Sequence, residues 1–201
     1  MGRKDYSAGM VKLPFWFSEF KKMISLINSG MTFSEIKELN IKDNIFAAPT
    51  EARSTQIFNT VSTRVKALIP EFYTLFEQCD ITNQKLIALI AIMESDTLFF
   101  DFMYEVYREK LIIGIDELTD SDFSVFFKDK QLQYERVAKW TDYTLKRLGS
   151  IYRTVLMETG ILERSSNSTK KIIKPILDQS LETELKECGM EKILHTLMGV
   201  R

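Results

Sequence analysis

Apolar residues return every third or fourth position along most of this chain, the spacing of a helix face rather than a strand. The first stripe is Phe17, Phe20, Met23, Ile24 and Ile27, bounded by Pro14 and Gly30. Thr32-Phe-Ser-Glu35 has the form of a capping box and predicts a second helix that ends near Asn40. A link over 41–49 leads to Thr50, which opens a third helix with Ile57, Phe58, Val61, Val65 and Leu68 as its buried side. Pro70 predicts a break, so residues 1–69 read as a three-helix, helix-turn-helix-like unit.

Residues 70–201 read as a C-terminal helical domain. A helix over 71–78 precedes one capped by Thr82 that runs to Glu94, then one capped by Asp96 that runs to Ile113. Thr119-Asp-Ser-Asp122 starts another helix, which contains Phe123, Phe126 and Phe127. The spacing then predicts one long helix from Leu132 to Thr159, closed by Gly160. Ile161-Leu-Glu-Arg164 and Lys171-Ile-Ile-Lys174 are short β-prone runs around the polar loop Ser165-Ser-Asn-Ser-Thr169, which predicts a small hairpin. Short helices near 176–186 and 190–198 finish the chain. The expected fold class is mostly α: a helical bundle with a helix-turn-helix-like N-terminal unit and a winged-helix-like segment, 96–174, that carries the hairpin.

With 45% hydrophobic and 27% charged residues among 201, the chain has the material for a packed core. Its longest apolar run, 86–93 (LIALIAIM), falls short of the roughly 20 residues that span a bilayer. The opening MGRKDYSAGMVK lacks the apolar stretch of a secretory signal. Cys79 and Cys188 lie far apart with no CxxC pair, which suits a reducing compartment. The expected location is therefore cytoplasmic, with no membrane partner.

Signatures of catalysis are missing from the sequence. There is no P-loop, no dinucleotide fingerprint, and no HExxH, since His195 is the single histidine. Neither cysteine has a histidine in its own segment, apart from His195 some way beyond Cys188. Asp116, Glu117, Asp120 and Asp122 stand at a helix start, where capping accounts for them. The expectation is a non-enzyme with no metal, no cofactor and no small-molecule substrate.

Charge gives the positive signal. The whole chain carries a net −1, yet residues 132–174 hold nine basic and four acidic residues, a net of +5. Arg136, Lys139, Tyr143, Lys146, Ser150 and Arg153 fall on one face of the long helix expected there. Arg147 lies beside that stripe, and Arg164, Lys170, Lys171 and Lys174 decorate the hairpin. A helix followed by a short capped helix, a long helix and a hairpin is the winged helix-turn-helix order, in which the third helix enters a major groove and the hairpin meets phosphate. A solvated amphipathic face is the plain alternative for the stripe. A weaker candidate is the helix that opens at Thr50, where Arg53 and Gln56 are types that read base edges or phosphates. Phe99, Phe100, Phe102, Tyr104 and Tyr107 cover too much of one helix to be all exposed, so that helix is buried or packs on a partner.

Three blocks resemble one known family. Tyr6-Ser-Ala-Gly9, then Asn44-Ile-Phe-Ala-Ala-Pro-Thr-Glu-Ala-Arg53, then Leu98-Phe-Phe-Asp-Phe-Met-Tyr-Glu-Val-Tyr-Arg-Glu-Lys110 with Leu118-Thr-Asp-Ser-Asp122, are similar to the small A proteins of BREX, the bacteriophage exclusion systems. The likeness runs over nearly the whole chain. It implies a non-enzymatic component of a phage-defence operon whose companions include a DNA methyltransferase, ATPases and a phosphatase-like protein. It also implies an all-helical fold similar to nucleic-acid-binding modules, among them a bacterial antitermination factor that binds RNA, and binding to double-stranded DNA. The family carries a label of inner-membrane protein, which the hydropathy of this chain argues against. The function expected is a double-stranded DNA-binding accessory protein that acts mainly through phosphate contacts. The alternatives are a protein-interaction scaffold of the defence complex and an RNA-binding module.

Overall fold

The computed structural model describes residues 5–165 and 169–201. The middle of the polar loop, 166–168, lies outside them. The chain divides into two compact units, Trp16–Ser95 and Asp96–Arg201 together with the N-terminal segment through Phe15. It starts in one unit, builds the other, and returns.

The Trp16–Ser95 unit holds five helices: α1 (Phe17–Asn28), α2 (Phe33–Asp43), α3 (Glu51–Ala67), α4 (Glu71–Gln78) and α5 (Ile81–Ser95). The capping box forms: Thr32 Oγ1 accepts from the Glu35 N–H at 3.3 Å, and the Thr32 N–H donates to Glu35 Oε2 at 2.7 Å. Thr50 Oγ1 caps α3 by accepting from the Arg53 N–H at 3.2 Å. Asn44 stands at a φ of 43° and its side chain bonds both the N–H and the carbonyl of Ala48, which fixes the turn between α2 and α3. α5 is buried from Leu86 through Met93 and packs on α3, the position of a helix apolar on every side. The division expected at residues 69 and 70 therefore differs from this partition. Pro70 opens α4, and α4 and α5 pack on α1, so the unit continues to Ser95. The cap of α5 is Asp80, which accepts from the Asn83 N–H at 2.7 Å, and not Thr82.

The other unit begins with a 3₁₀ turn at Gly9–Lys12 and continues at α6 (Thr97–Phe102), a π-turn (Met103–Tyr107) and α7 (Arg108–Ile112). β1 (Glu117–Thr119), α8 (Asp120–Gln133), α9 (Glu135–Ala138), α10 (Asp142–Glu158), β2 (Leu162–Arg164) and β3 (Thr169–Ile172) follow, then α11 (Gln179–Glu187) and α12 (Glu191–Met198). The strands form one antiparallel sheet in the order β1-β3-β2. The fold is mostly α with a small sheet, as the apolar spacing implies. Two details differ from expectation. The hairpin gains a third strand, β1. The long helix from 132 to 159 is broken: Tyr134 adopts an extended backbone after α8, and Thr141 does so before α10. The Thr141 hydroxyl accepts from the Thr144 N–H at 3.2 Å, so a helix start replaces a continuous turn. Among the described residues, no helix is long and apolar enough to cross a membrane.

Candidate nucleic-acid interface

α8 opens on a second capping box. The Thr119 N–H and hydroxyl both donate to Asp122 Oδ2, at 2.6 and 2.8 Å, and Lys110 Nζ lies 3.0 Å from Asp122 Oδ1. Burial pushes the Asp122 carboxyl up, but the Thr119 N–H and Lys110 outweigh it and hold the group below its ordinary range. α8 turns Phe123, Phe126 and Phe127 inward, and α10 answers with Leu145, Leu148, Tyr152, Val155 and Leu156. The Tyr152 ring meets Phe99 edge-on at 4.9 Å and lies 5.7 Å from Phe127. Gly149 faces α8, where a Cβ would lie 3.4 Å from Phe123 Cβ, in ordinary van der Waals contact.

The outer side of α10 presents Tyr143, Lys146, Arg147 and Ser150 to solvent. At about 100° per residue they share an arc of about 100°. Tyr143 is 72% exposed, far more than a packing tyrosine needs. Between α8 and α10 runs a groove of about 610 Å³, floored by Phe123, Phe127 and Gly149. Lys128, Lys146, Arg147 and Arg153 line it against Asp120 and Asp142, so its rim is net cationic.

The break before α10 separates the expected stripe. Arg136 sits on α9 and pairs with Asp5 at 3.3 Å, and Lys139 follows α9 as an exposed cap. Arg153 remains on α10, but its guanidinium pairs with Asp120 and lies 5.1 Å over the Phe123 ring. The sheet departs further from a basic hairpin. Lys170 alternates with Ile172 onto the inner face and is 6% exposed, and its ammonium donates to the Thr169 carbonyl at 3.3 Å. Lys171 points outward in register with Glu117 on one side and Glu163 on the other. Arg164 ends β2 beside the loop, while Lys174 follows β3 at the opposite end of the hairpin, so these two do not join one stripe. In the other unit Arg53 Nη1 donates to Gln56 Oε1 at 2.8 Å, with the guanidinium 4.8 Å over Trp16. That pair satisfies itself locally.

Sequence reasoning passed over Lys128, although it lies one helix turn from Ser124 and Gln131 on the face of α8 that lines the groove. It also passed over Lys130, which is 3% exposed and lies 2.7 Å from Glu105 Oε1. Among the described residues, no group of three or more His, Cys, Asp or Glu side chains is arranged to hold a metal ion. The aromatic helix is spent inside its own unit. Phe99, Phe102 and Tyr107 are buried, and Phe100 and Tyr104 stack at 5.9 Å beneath Lys192.

Comparison with known proteins agrees with the residue-level likeness. A crystal structure of an uncharacterized protein from Magnetospirillum magneticum superposes with a TM-score of 0.80 over 98% of this chain and 100% of that one, at 15% identity, which is a likeness of fold. A protein of Bacillus cereus (strain H3081.97) described as "BREX protein BrxA" is 37% identical over 194 residues, 96% of either chain. The BrxA family model matches residues 4–189, and with that match the chain belongs to the BrxA family.

Proposed function

We propose that this chain is a non-enzymatic, double-stranded DNA-binding component of a BREX phage-defence system. α10 enters the major groove, and Lys139, Lys146 and Arg147 neutralise backbone phosphates. The observation that carries this reading is the outer face of α10, cationic and turned to solvent, inside the ordered series α7, β1, α8, α9, α10, β2, β3 with the sheet order β1-β3-β2. With α9 counted as a single turn inside the link from α8 to α10, that series has the form of a winged helix, in which α10 takes the place of the helix that meets bases. Tyr143 and Ser150 beside the cations add hydroxyl donors for sugar and phosphate. Contacts of this kind position a duplex with little sequence selectivity.

Fluorescence anisotropy on a labelled duplex tests the reading, with unlabelled duplex DNA, duplex RNA and single strands as competitors. Duplex DNA is expected to compete best, because α10 fits the wide major groove of B-form DNA and not the deep, narrow one of A-form RNA. Stronger competition by RNA would assign the same surface to RNA. If the wild-type chain binds none of these and still assembles with its operon partners, the role is that of a scaffold.

A further inference from the structure

Tyr6-Ser-Ala-Gly9 is a resemblance-bearing motif for which DNA contact finds no use, yet it is built into the same unit as α10. The Tyr6 hydroxyl donates a short hydrogen bond to Asp101 of α6, a carboxylate with no exposed surface, 95 positions along the chain. The Tyr6 ring meets Tyr134, at the junction of α8 and α9, edge-on at 4.6 Å. Lys130 of α8 closes the cluster. Its ammonium lies 3.9 Å from Asp101, 2.7 Å from Glu105, and 5.6 and 5.8 Å over the Tyr6 and Tyr134 rings. Next along the strap, Asp5 pairs with Arg136 of α9. Past Tyr6, the Gly9 N–H donates to Ser7 Oγ at 3.0 Å, and the 3₁₀ turn that follows packs on α10 with Met10 buried.

We propose that residues 5–12 form a clasp that sets the position of α8, α9 and α10, with Tyr6 as its positioning residue. A helix-turn-helix has little covering of its own over the turn, and here the turn is held from outside by a segment from the far end of the chain. Along the strap, Asp5 reaches α9, Tyr6 reaches α6 and the end of α8, and residues 9–12 reach α10. A shift of Tyr134 or Arg136 is therefore resisted by a buried, charge-assisted hydrogen bond and an ion pair together. The link to DNA rests on the reading of α10 as the duplex-contacting helix; the link to the turn does not.

The experiment is hydrogen exchange and duplex anisotropy on the full chain and on Tyr6→Phe, which deletes the phenol donor and keeps the ring on Tyr134. Amide exchange over 130–147 is expected to rise about tenfold, and duplex affinity to fall about fivefold, in protein that circular dichroism shows to be folded. The salt slope of binding is expected to stay, because Tyr6 neutralises no phosphate. Unchanged exchange over 130–147 with a lower unfolding temperature overturns the clasp and leaves Tyr6 an ordinary stabilising contact. A wild-type chain that binds no duplex overturns the DNA reading alone, and the exchange pattern still decides the clasp. Should Tyr6→Phe not fold, Asp5→Asn at the exposed end of the strap takes its place: faster exchange in α9 supports the clasp, and unchanged exchange overturns it.

Discussion

Of the expected phosphate contacts, the structure separates those that face solvent from those already buried or paired, and salt dependence reads the difference. Lys146 and Arg147 stand exposed on α10, whereas Lys170 is buried under the sheet. A lysine or arginine that neutralises one phosphate contributes about 0.9 to the slope of log affinity against log salt. Lys146→Gln with Arg147→Gln is therefore expected to make that slope shallower by about 1.8 between about 50 and about 200 mM salt. If counterion release is the whole contribution, each contact is worth about fivefold at about 0.15 M salt, and the pair about thirtyfold. The unfolding free energy should stay within the small range of surface substitutions, about 0.5 kcal/mol either way. Lys170→Ala should do the reverse. It removes three buried methylenes of the stem with the ammonium, at a cost of about 1–2 kcal/mol, and leaves the slope alone. Anisotropy titrations at four salt concentrations, with urea midpoints on the same proteins, give both numbers. A double variant with the wild-type slope, or a Lys170→Ala slope as shallow as the double variant's, refutes the assignment of contacts.

Two further outcomes follow from the packing and the caps. Gly199 closes α12 at a φ of 63°, and a Cβ there would stand 2.4 Å from Leu111 Cβ, so Gly199→Ala should destabilise by about 2 kcal/mol or more. Gly149→Ala meets only ordinary contact on Phe123 and Phe127 and should stabilise α10 by about 0.5–1 kcal/mol; thermal unfolding of the two variants compares the signs. Asp122 is held below the ordinary aspartate range, so its share of stability is full above that range and is lost as pH falls through the lowered folded value. Urea midpoints between about pH 5 and about pH 2 should drop less steeply for Asp122→Asn than for the wild type.

The local signals in the sequence were legible and the long-range ones were not. Thr32 with Glu35, Thr50, Asp96 and Thr119 with Asp122 each announce a helix start, and each cap forms with neighbours three residues away. The break between α8 and α10 was hidden because Val137, Trp140 and Thr144 continue the helical period straight through it. Thr141 followed by Asp142 carried the one cue to a fresh start. β1 is three residues long and exists only because β3, some fifty positions later, supplies its partner. Nothing near Tyr6 in sequence points to Asp101. Lys170 is a different case. Alternation along a strand puts it on the same side as Ile172, so its inward course was open to a strict period-two reading.

On the proposed reading of α10, the redistribution of charge bears on how strongly a duplex would be held. The count of +5 over 132–174 suggests a broad basic surface, but the fold consumes much of it. Lys170 goes inside, Arg153 is taken by Asp120, Arg136 by Asp5, and Lys171 stands between two glutamates of the ladder. On that reading, Lys139, Lys146 and Arg147 are the contacts that α10 and its entry turn would offer, and three phosphates correspond to a salt slope of about −2.7. Proteins that make six to ten such contacts lose about a thousandfold or more in affinity over the same salt range. A slope this shallow fits a module that binds weakly alone and gains from being joined to others, since linkage raises effective concentration without a new contact. That matches a small component of a multi-protein system better than an autonomous repressor. A measured slope near −6 or steeper would count against it, because it would require phosphate contacts from cations that the fold has already committed to Asp120, Asp5 and the glutamates of the sheet.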